Sequence, residues 1–352
     1  MHKKSSEYKR WLSHRNAKNL VRRTEKKKSR KRRRSSKNNS YAPNIKSSNN
    51  YRSKSISFDA PNIFSIEQNP IETIQFFNDI ISFITDKRNF GKRLFINVSN
   101  IHALTTDALM YLLALVNNLN ENFQHKYKFS GNSPSNPEVR KKFNESGFYK
   151  FVRYIGKEML THNDDNVQIV SGESYDTNIA RTITDFVCNK ADISIRKCKF
   201  IYESIIELMN NTQKHAYTRD TILFPRWYCY VEYTGNGVVH FTFMDTGVGI
   251  PSTVQKKFTE KIDILGLKGD NKYVISTLNG DFRTSTREIH HGKGLPKIRD
   301  FCNLGVMRDL HIVTNKADVK VGQLDFDGND MPIQLKGTLY NWKIDLNMLK
   351  GA

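Results

Sequence analysis

Four polar side chains recur at steps of four along Lys199–Ala216: Glu203, Glu207, Asn211 and His215. On a helix that spacing stacks them on one face, while Ile201, Ile205, Leu208 and Met209 gather on the other. Taken alone, the pattern is an amphipathic helix with a wet side. A companion follows at Asp245-Thr246-Gly247-Val248-Gly249-Ile250-Pro251, a carboxylate trailed by two glycines two apart. Such glycines let backbone approach a ligand closely. A third element, Gly292-Lys293-Gly294-Leu295, precedes a helical pattern. Free N–H groups and the positive end of a helix make that junction suited to phosphate.

These residues need elements to hold them. Trp227–Tyr233 and Val238–Met244 alternate like strands around Thr234-Gly-Asn-Gly237, a hairpin signal that puts Asp245 at a strand end. Pro251–His291 has no firm periodicity and is rich in Lys, Gly, Thr and Ser. It is expected to be a functional or disordered loop, with Arg283 and Arg287 as candidates for phosphate contact. Gly337-Thr338 is expected to open the last strand, Leu339–Leu346. His290-His291 is a weak metal pair, because adjacent side chains diverge and no third ligand has suitable spacing.

Upstream, Arg93–Val98 and Lys126–Ser130 read as strands. Thr106–Asn120 reads as a helix with Leu109, Leu112, Leu113, Val116 and Leu119 at helical spacing. Glu138–Ser146 reads as a second helix capped by Gly147. Strand, helix, strand, helix predicts a small α/β unit of about 100 residues. Thr105-Thr106-Asp107 is read as a helix N-cap, whose oxygens accept the first free N–H groups.

The 352 residues carry 56 Lys+Arg against 35 Asp+Glu and are 38% hydrophobic, enough apolar material for a core. The charge is concentrated: Met1–Ile56 holds 20 basic residues against Glu7 and Glu25, or +18, leaving +3 for the remainder. This arm, with Lys26–Arg34 at its centre and a Ser/Asn-rich tail, is expected to be disordered in isolation. Its readings are nucleic acid, DNA or RNA, through salt-sensitive phosphate contacts, an anionic lipid surface, or a solvated tail with no dedicated partner. No run approaches the roughly 18 apolar residues of a bilayer span. The opening Met1-His-Lys-Lys-Ser lacks the apolar stretch of a secretory signal. Cys188, Cys198, Cys229 and Cys302 form no C-x-x-C pair, so neither a zinc site nor a disulfide framework is expected, and the cytoplasm is the natural compartment.

In order, the chemistry-bearing segments resemble the four boxes of the GHKL, or Bergerat-fold, ATPases. The helix box is matched by Glu207 and Asn211, continuing through Lys214-His215-Ala216. The first glycine box is matched by Asp245, Gly247, Gly249 and Ile250, the second by Gly292, Gly294 and Leu295, and the late Gly-Thr by Gly337 and Thr338. The resemblance covers roughly Asn166–Asn347. It implies ATP and Mg²⁺ as cofactors, Asn211 as the metal ligand, and Asp245, with Thr338 supporting it, as the acceptor for the adenine amine. Gly292, Lys293 and Gly294 would meet the phosphates, His215 would lie near them, and Glu207 would orient the attacking water as general base. Glu203, one turn back, is an alternate for that role.

Phe58–Ile155 resembles the STAS domain of anti-sigma-factor antagonists, on the strand-to-helix turn Leu104-Thr105-Thr106-Asp107-Ala108-Leu109. The family's phosphorylatable Ser falls at Thr106 or Asp107, and its Gly is replaced by Ala108. The combined expectation is an α/β (α+β) chain: a disordered basic arm over 1–56, a STAS-like domain over 57–157, and a GHKL ATP-binding sandwich over 158–352. Three functions fit. One is a slow ATPase acting as a nucleotide-driven switch that closes a lid and forms a homodimer, with the arm on nucleic acid. The second is an anti-sigma-type serine/threonine kinase acting on a STAS-like protein partner. The third is a non-catalytic nucleotide-binding scaffold. A histidine kinase fits less well, since no helical hairpin with a phosphoacceptor His precedes the nucleotide unit.

Overall fold

The computed structural model describes residues 55–123, 126–152, 163–215, 223–282 and 294–351. The basic arm therefore lies outside the described residues, apart from its last two positions.

The first half comprises β1 (Ser55–Asp59), β2 (Ile63–Phe64), α1 (Pro70–Thr85), β3 (Arg93–Asn97), β4 (Ala103–Leu104), α2 (Thr106–Asn118), β5 (Lys128–Gly131) and α3 (Pro137–Glu145). β1, β3 and β5 form a parallel sheet with β3 central, and β2 pairs with β4 beside it. α1 opens with Pro70 in its first turn, where a missing N–H costs nothing, and buries Ile74, Phe77, Ile80, Ile81 and Ile84. Gly147, at φ 81°, stands just past α3, where the left-handed conformation favours glycine.

The second half comprises β6 (Asn166–Gly172), α4 (Thr177–Ala191), α5 (Lys199–His215), β7 (Trp227–Tyr233), β8 (Val238–Asp245), α6 (Ile250–Lys257), α7 (Thr259–Leu265), α8 (Asp270–Asn279), α9 (Gly294–Asn303), β9 (Arg308–Val321), β10 (Phe326–Asp345) and α10 (Leu346–Gly351). Its sheet is antiparallel throughout, in the order β6-β7-β8-β10-β9. The chain is thus mixed α/β, with two parallel sheets and one antiparallel sheet among the described residues.

Both faces of the five-stranded sheet are covered. Trp227, Phe241, Phe243, Tyr340, Trp342 and Ile344 point into a core shared with α4, α5 and α9. The alternate residues Tyr228, Tyr230, Met244 and Leu339 join the core of the first half. Strands buried on both faces read as nearly continuous apolar runs. That arrangement also explains α2. The spacing predicts one apolar face, yet Met110, Tyr111, Ala114 and Leu115 are buried as well, because α1 covers one side and β7 and β8 the other. A helix that is apolar all round belongs in an interior.

Several expectations need correction. Thr105 occupies the N-cap of α2 but makes no side-chain capping bond. Asp107, buried in the first turn, does accept one free amide of its own helix, that of Ala108, and in addition accepts the Ile66 and Glu67 amides at 3.3 and 3.2 Å, so it ties the β2–α1 loop to the helix. Pro251–His291 is not an irregular loop as far as Phe282. α6, α7 and α8 fold around a small core of their own, Val254, Ile262, Tyr273 and Phe282. Gly266 and Gly280 take left-handed conformations where α7 and α8 end. These helices are too short for a firm period, and α8 is capped from far away: Asp330 on β10 accepts the Asp270 and Asn271 amides at 3.1 and 2.7 Å. The last strand begins not at Gly337 but at Phe326, and a β-bulge around 335–338 absorbs the glycine. Among the described residues, no helix is long and apolar enough to cross a membrane. All four cysteines are buried free thiols.

Candidate functional site

Asp245 ends β8 on the face that carries Phe241 and Phe243, toward α5 and α9. It is only 5% exposed. Two groups bond its carboxylate: the Gly247 N–H donates to Oδ1 at 2.7 Å, and the Thr338 hydroxyl lies directly across the ladder. Burial nevertheless prevails and pushes the Asp245 carboxyl up to about 7, the two hydrogen bonds opposing the shift. Among the described residues no cation pairs with it. A carboxylate this deep, with lone pairs to spare, is an acceptor awaiting a donor.

The glycines around it are required by space. Gly337, at φ 106°, lies so close to the Asp245 carbonyl that any Cβ would collide with main chain. Gly249, at φ 90°, is hemmed in instead by the side chains of Asn315 and Thr314. Thr314 is the hub of this turn. Its Oγ1 accepts the Ile250 N–H at 3.1 Å, donates to the Gly337 carbonyl at 3.0 Å and touches the Thr338 hydroxyl at 3.2 Å. Asn315 donates through Nδ2 to the Val248 carbonyl at 3.1 Å. When Asp245 is ionised, Thr338 donates to it; when Asp245 is protonated, Thr338 can accept and turn its own hydrogen to Thr314.

On the facing layer, Glu207 and Asn211 lie one turn apart on α5. Gly294, the first residue of α9, fits against Glu207 so tightly that a Cβ there would overlap the carboxylate. Leu295 packs into the core beside it. Glu203 is engaged elsewhere, in an ion pair with Lys199 of its own helix at 3.5 Å and one with Lys297 at 3.2 Å that binds α5 to α9. The Asn211 amide nitrogen is buried and, among the described residues, has no hydrogen-bond partner. Tyr340, buried on β10, is held well above its ordinary pKa first by burial and then by the charges of Asp245 and Glu207. The strand carboxylate and the helix carboxylate are therefore both near enough for their charge to act on the Tyr340 phenol.

The structure brings together Asp245, Gly247, Gly249, Ile250 and Thr338 around one turn, while Glu207 and Gly294 meet in the helix layer that covers the same face of the sheet, with Asn211 a turn further along α5. The backbone of His215 closes α5, and its side chain lies outside the described residues, as do Gly292, Lys293, Arg283, Arg287, His290 and His291. Thr314, Asn315 and Tyr340 carried no signal of their own in the sequence, since they sit in apolar strand runs and only cross-strand pairing brings them to the turn. A separate groove of about 320 Å³ at the β7–β8 turn holds Arg308 and Lys343, but both cations are already matched, to Asp345 at 3.2 Å and Asp309 at 2.9 Å. No known protein-family model matches the chain, and no curated protein matches it.

Proposed function

We propose that 158–352 is a GHKL-type unit that binds Mg-ATP, that 57–157 is a STAS-like unit, and that the protein is a slow ATPase working as a nucleotide-driven switch. The observation that carries this reading is the buried Asp245 carboxylate, accepting from Gly247 and Thr338 and backed by glycines that leave no room for a side chain. An uncompensated carboxylate at a strand end suits an exocyclic amine, which has hydrogen atoms to give and no charge to balance.

The residues present fit the remaining parts. Asn211 offers a carboxamide whose buried nitrogen is unpartnered, and a half-turn of the amide exchanges its nitrogen for the oxygen that a hard cation prefers. The start of α9 supplies N–H groups for phosphate oxygens, with Gly294 clear of a side chain. Magnesium, when bound, would neutralise charge on the phosphate oxygens. Glu207, close to the α9 N-terminus, is the group to hold and deprotonate a water. Gly247, Gly249 and Gly337 keep the turn narrow, and Thr338 orients the Asp245 carboxylate.

A kinase acting on its own first half is disfavoured by position. Thr106 lies on the opposite face of the five-stranded sheet from Asp245, its hydroxyl 2.8 Å from Thr242. A separate STAS-like protein remains the alternative substrate. The basic arm is assigned to nucleic acid on its charge; removing 1–56 should abolish salt-sensitive retention on DNA or RNA, and unchanged retention refutes that assignment. For the nucleotide site, Glu207→Ala should stop phosphate release while Mg-ATP still binds. Failure of the wild-type protein to bind Mg-ATP at all would sink the reading.

A further inference from the structure

The first half reaches the bulge behind the Asp245 turn through two side chains: Asn78 Nδ2, on α1, donates to the Gln334 carbonyl at 3.0 Å, and Tyr111 bonds two residues nearer the turn. Tyr111, on α2, is 1% exposed, and its ring packs against Phe77 with centroids 4.5 Å apart. Its Oη donates to the Lys336 carbonyl at 2.8 Å. Lys336 directly precedes Gly337, whose carbonyl takes the Thr314 hydroxyl and whose missing Cβ lets the Asp245 main chain approach, and Thr338, which bonds the Asp245 carboxylate. β10 is irregular here, with register shifts on either side of 335–338, so the ladder alone does not fix the peptide. Asp245 is also near enough for its charge to act on the Tyr111 phenol, which burial has already raised above its ordinary pKa.

We propose that Tyr111 is a positioning residue of the nucleotide site, and that through it the first half of the chain sets the nucleotide affinity of the second. The proposal rests on the ATP-binding reading and adds its regulation. Tyr111 touches no ligand. It clamps the bulged 336–338 segment from behind, so that Thr338 and the Asp245 carboxylate keep the geometry an adenine amine needs. Anything that shifts α2 relative to the sheet loosens the clamp and weakens the nucleotide. By linkage, nucleotide binding tightens the hold of α2 on the sheet by the same factor. Another α2 contact is distinct: Asn117 Nδ2 donates to the Tyr228 hydroxyl at 3.2 Å, on β7 and away from the bulge.

The test compares Mg-ATP binding by calorimetry in full-length wild type, Tyr111→Phe and Asn117→Ala, alongside each protein's unfolding midpoint. Tyr111→Phe keeps the ring against Phe77 and removes only the hydroxyl. It should weaken Mg-ATP about five- to thirty-fold, the equivalent of one hydrogen bond, and speed amide exchange at Gly337 and Thr338. Asn117→Ala should lower the midpoint comparably and leave the affinity within about twofold of wild type. A lowered midpoint with unchanged affinity in Tyr111→Phe, or equal loss of affinity in both variants, overturns the proposal while leaving the ATP site standing. Absence of binding in wild type removes the site itself. Should Tyr111→Phe not fold, 3-fluorotyrosine at position 111 makes the phenol a stronger donor. Tighter binding then supports the clamp, and unaltered binding refutes it.

Discussion

Gly294 stands against the Glu207 carboxylate with no space for a single added carbon. Alanine is ordinarily the better helix residue by about 1 kcal/mol. Gly294→Ala is therefore expected to forgo that gain, because the Glu207 side chain must swing away from the start of α9 to make room. Glu207→Ala clears the obstruction, so the double variant should recover most of that gain. The cycle of four unfolding free energies should give a favourable coupling of about 1 kcal/mol or more; additive single effects would mean that the two residues do not press on each other.

Burial of Asp245 predicts an opposite sign for stability and for binding. Its carboxyl titrates near 7 when folded and near 3.8 when unfolded. Below 3.8 both states hold the proton and no penalty exists. As pH rises to 7 the unfolded chain releases it first, so this group's contribution falls, by about 1.4 kcal/mol per pH unit and on the order of 4 kcal/mol in all. Asp245→Asn has no such term. The variant should match wild type near pH 4, exceed it in unfolding free energy at pH 8, and lose nucleotide binding at both. Parallel stability curves would place the Asp245 carboxyl in a wetter setting than its burial indicates.

Much of this arrangement was legible in residue types, and the remainder was not for identifiable reasons. The periodicity of Lys199–His215 and the Thr234–Gly237 hairpin were visible because both are local: each needs only its own residues to set a face or a turn. Asp245 could be placed at a strand end for the same reason. Thr314 and Asn315 could not be found, since their importance arises from pairing between β9 and β10, far apart in sequence from the turn they hold. The helices α6 to α8 were missed because each is too short to establish a period, and one is capped by Asp330 some sixty residues away. The full burial of α2 was hidden because half of its cover comes from another part of the chain.

The location of Thr106 separates two phosphate chemistries. Its hydroxyl meets Thr242 on the side of the sheet that faces α2, while Asp245, Glu207 and Gly294 belong to the other side. Incubation with γ-labelled ATP should accordingly release inorganic phosphate without marking the peptide that contains Thr105 and Thr106. Label on that peptide, gained at a fractional rate independent of protein concentration, would show phosphotransfer within one chain and would require the two halves to separate first.

Thr314 makes three contacts at the Asp245 turn through its hydroxyl. Valine has the same shape, so Thr314→Val removes the acceptor of the Ile250 amide and the donor to the Gly337 carbonyl while leaving the packing in place. Each backbone group left unsatisfied in the interior costs about 1–3 kcal/mol. The two bonds anchor opposite sides of the same turn, one reaching the glycine-rich loop and the other the bulge in β10. Their loss should therefore lower the unfolding midpoint and weaken Mg-ATP binding together. Thr314→Ser keeps the hydroxyl and drops only a methyl group, so it should restore nucleotide affinity to near wild type even where some stability is lost with the methyl. If serine binds nucleotide no better than valine, the hydroxyl is not what holds the turn, and the methyl packing is.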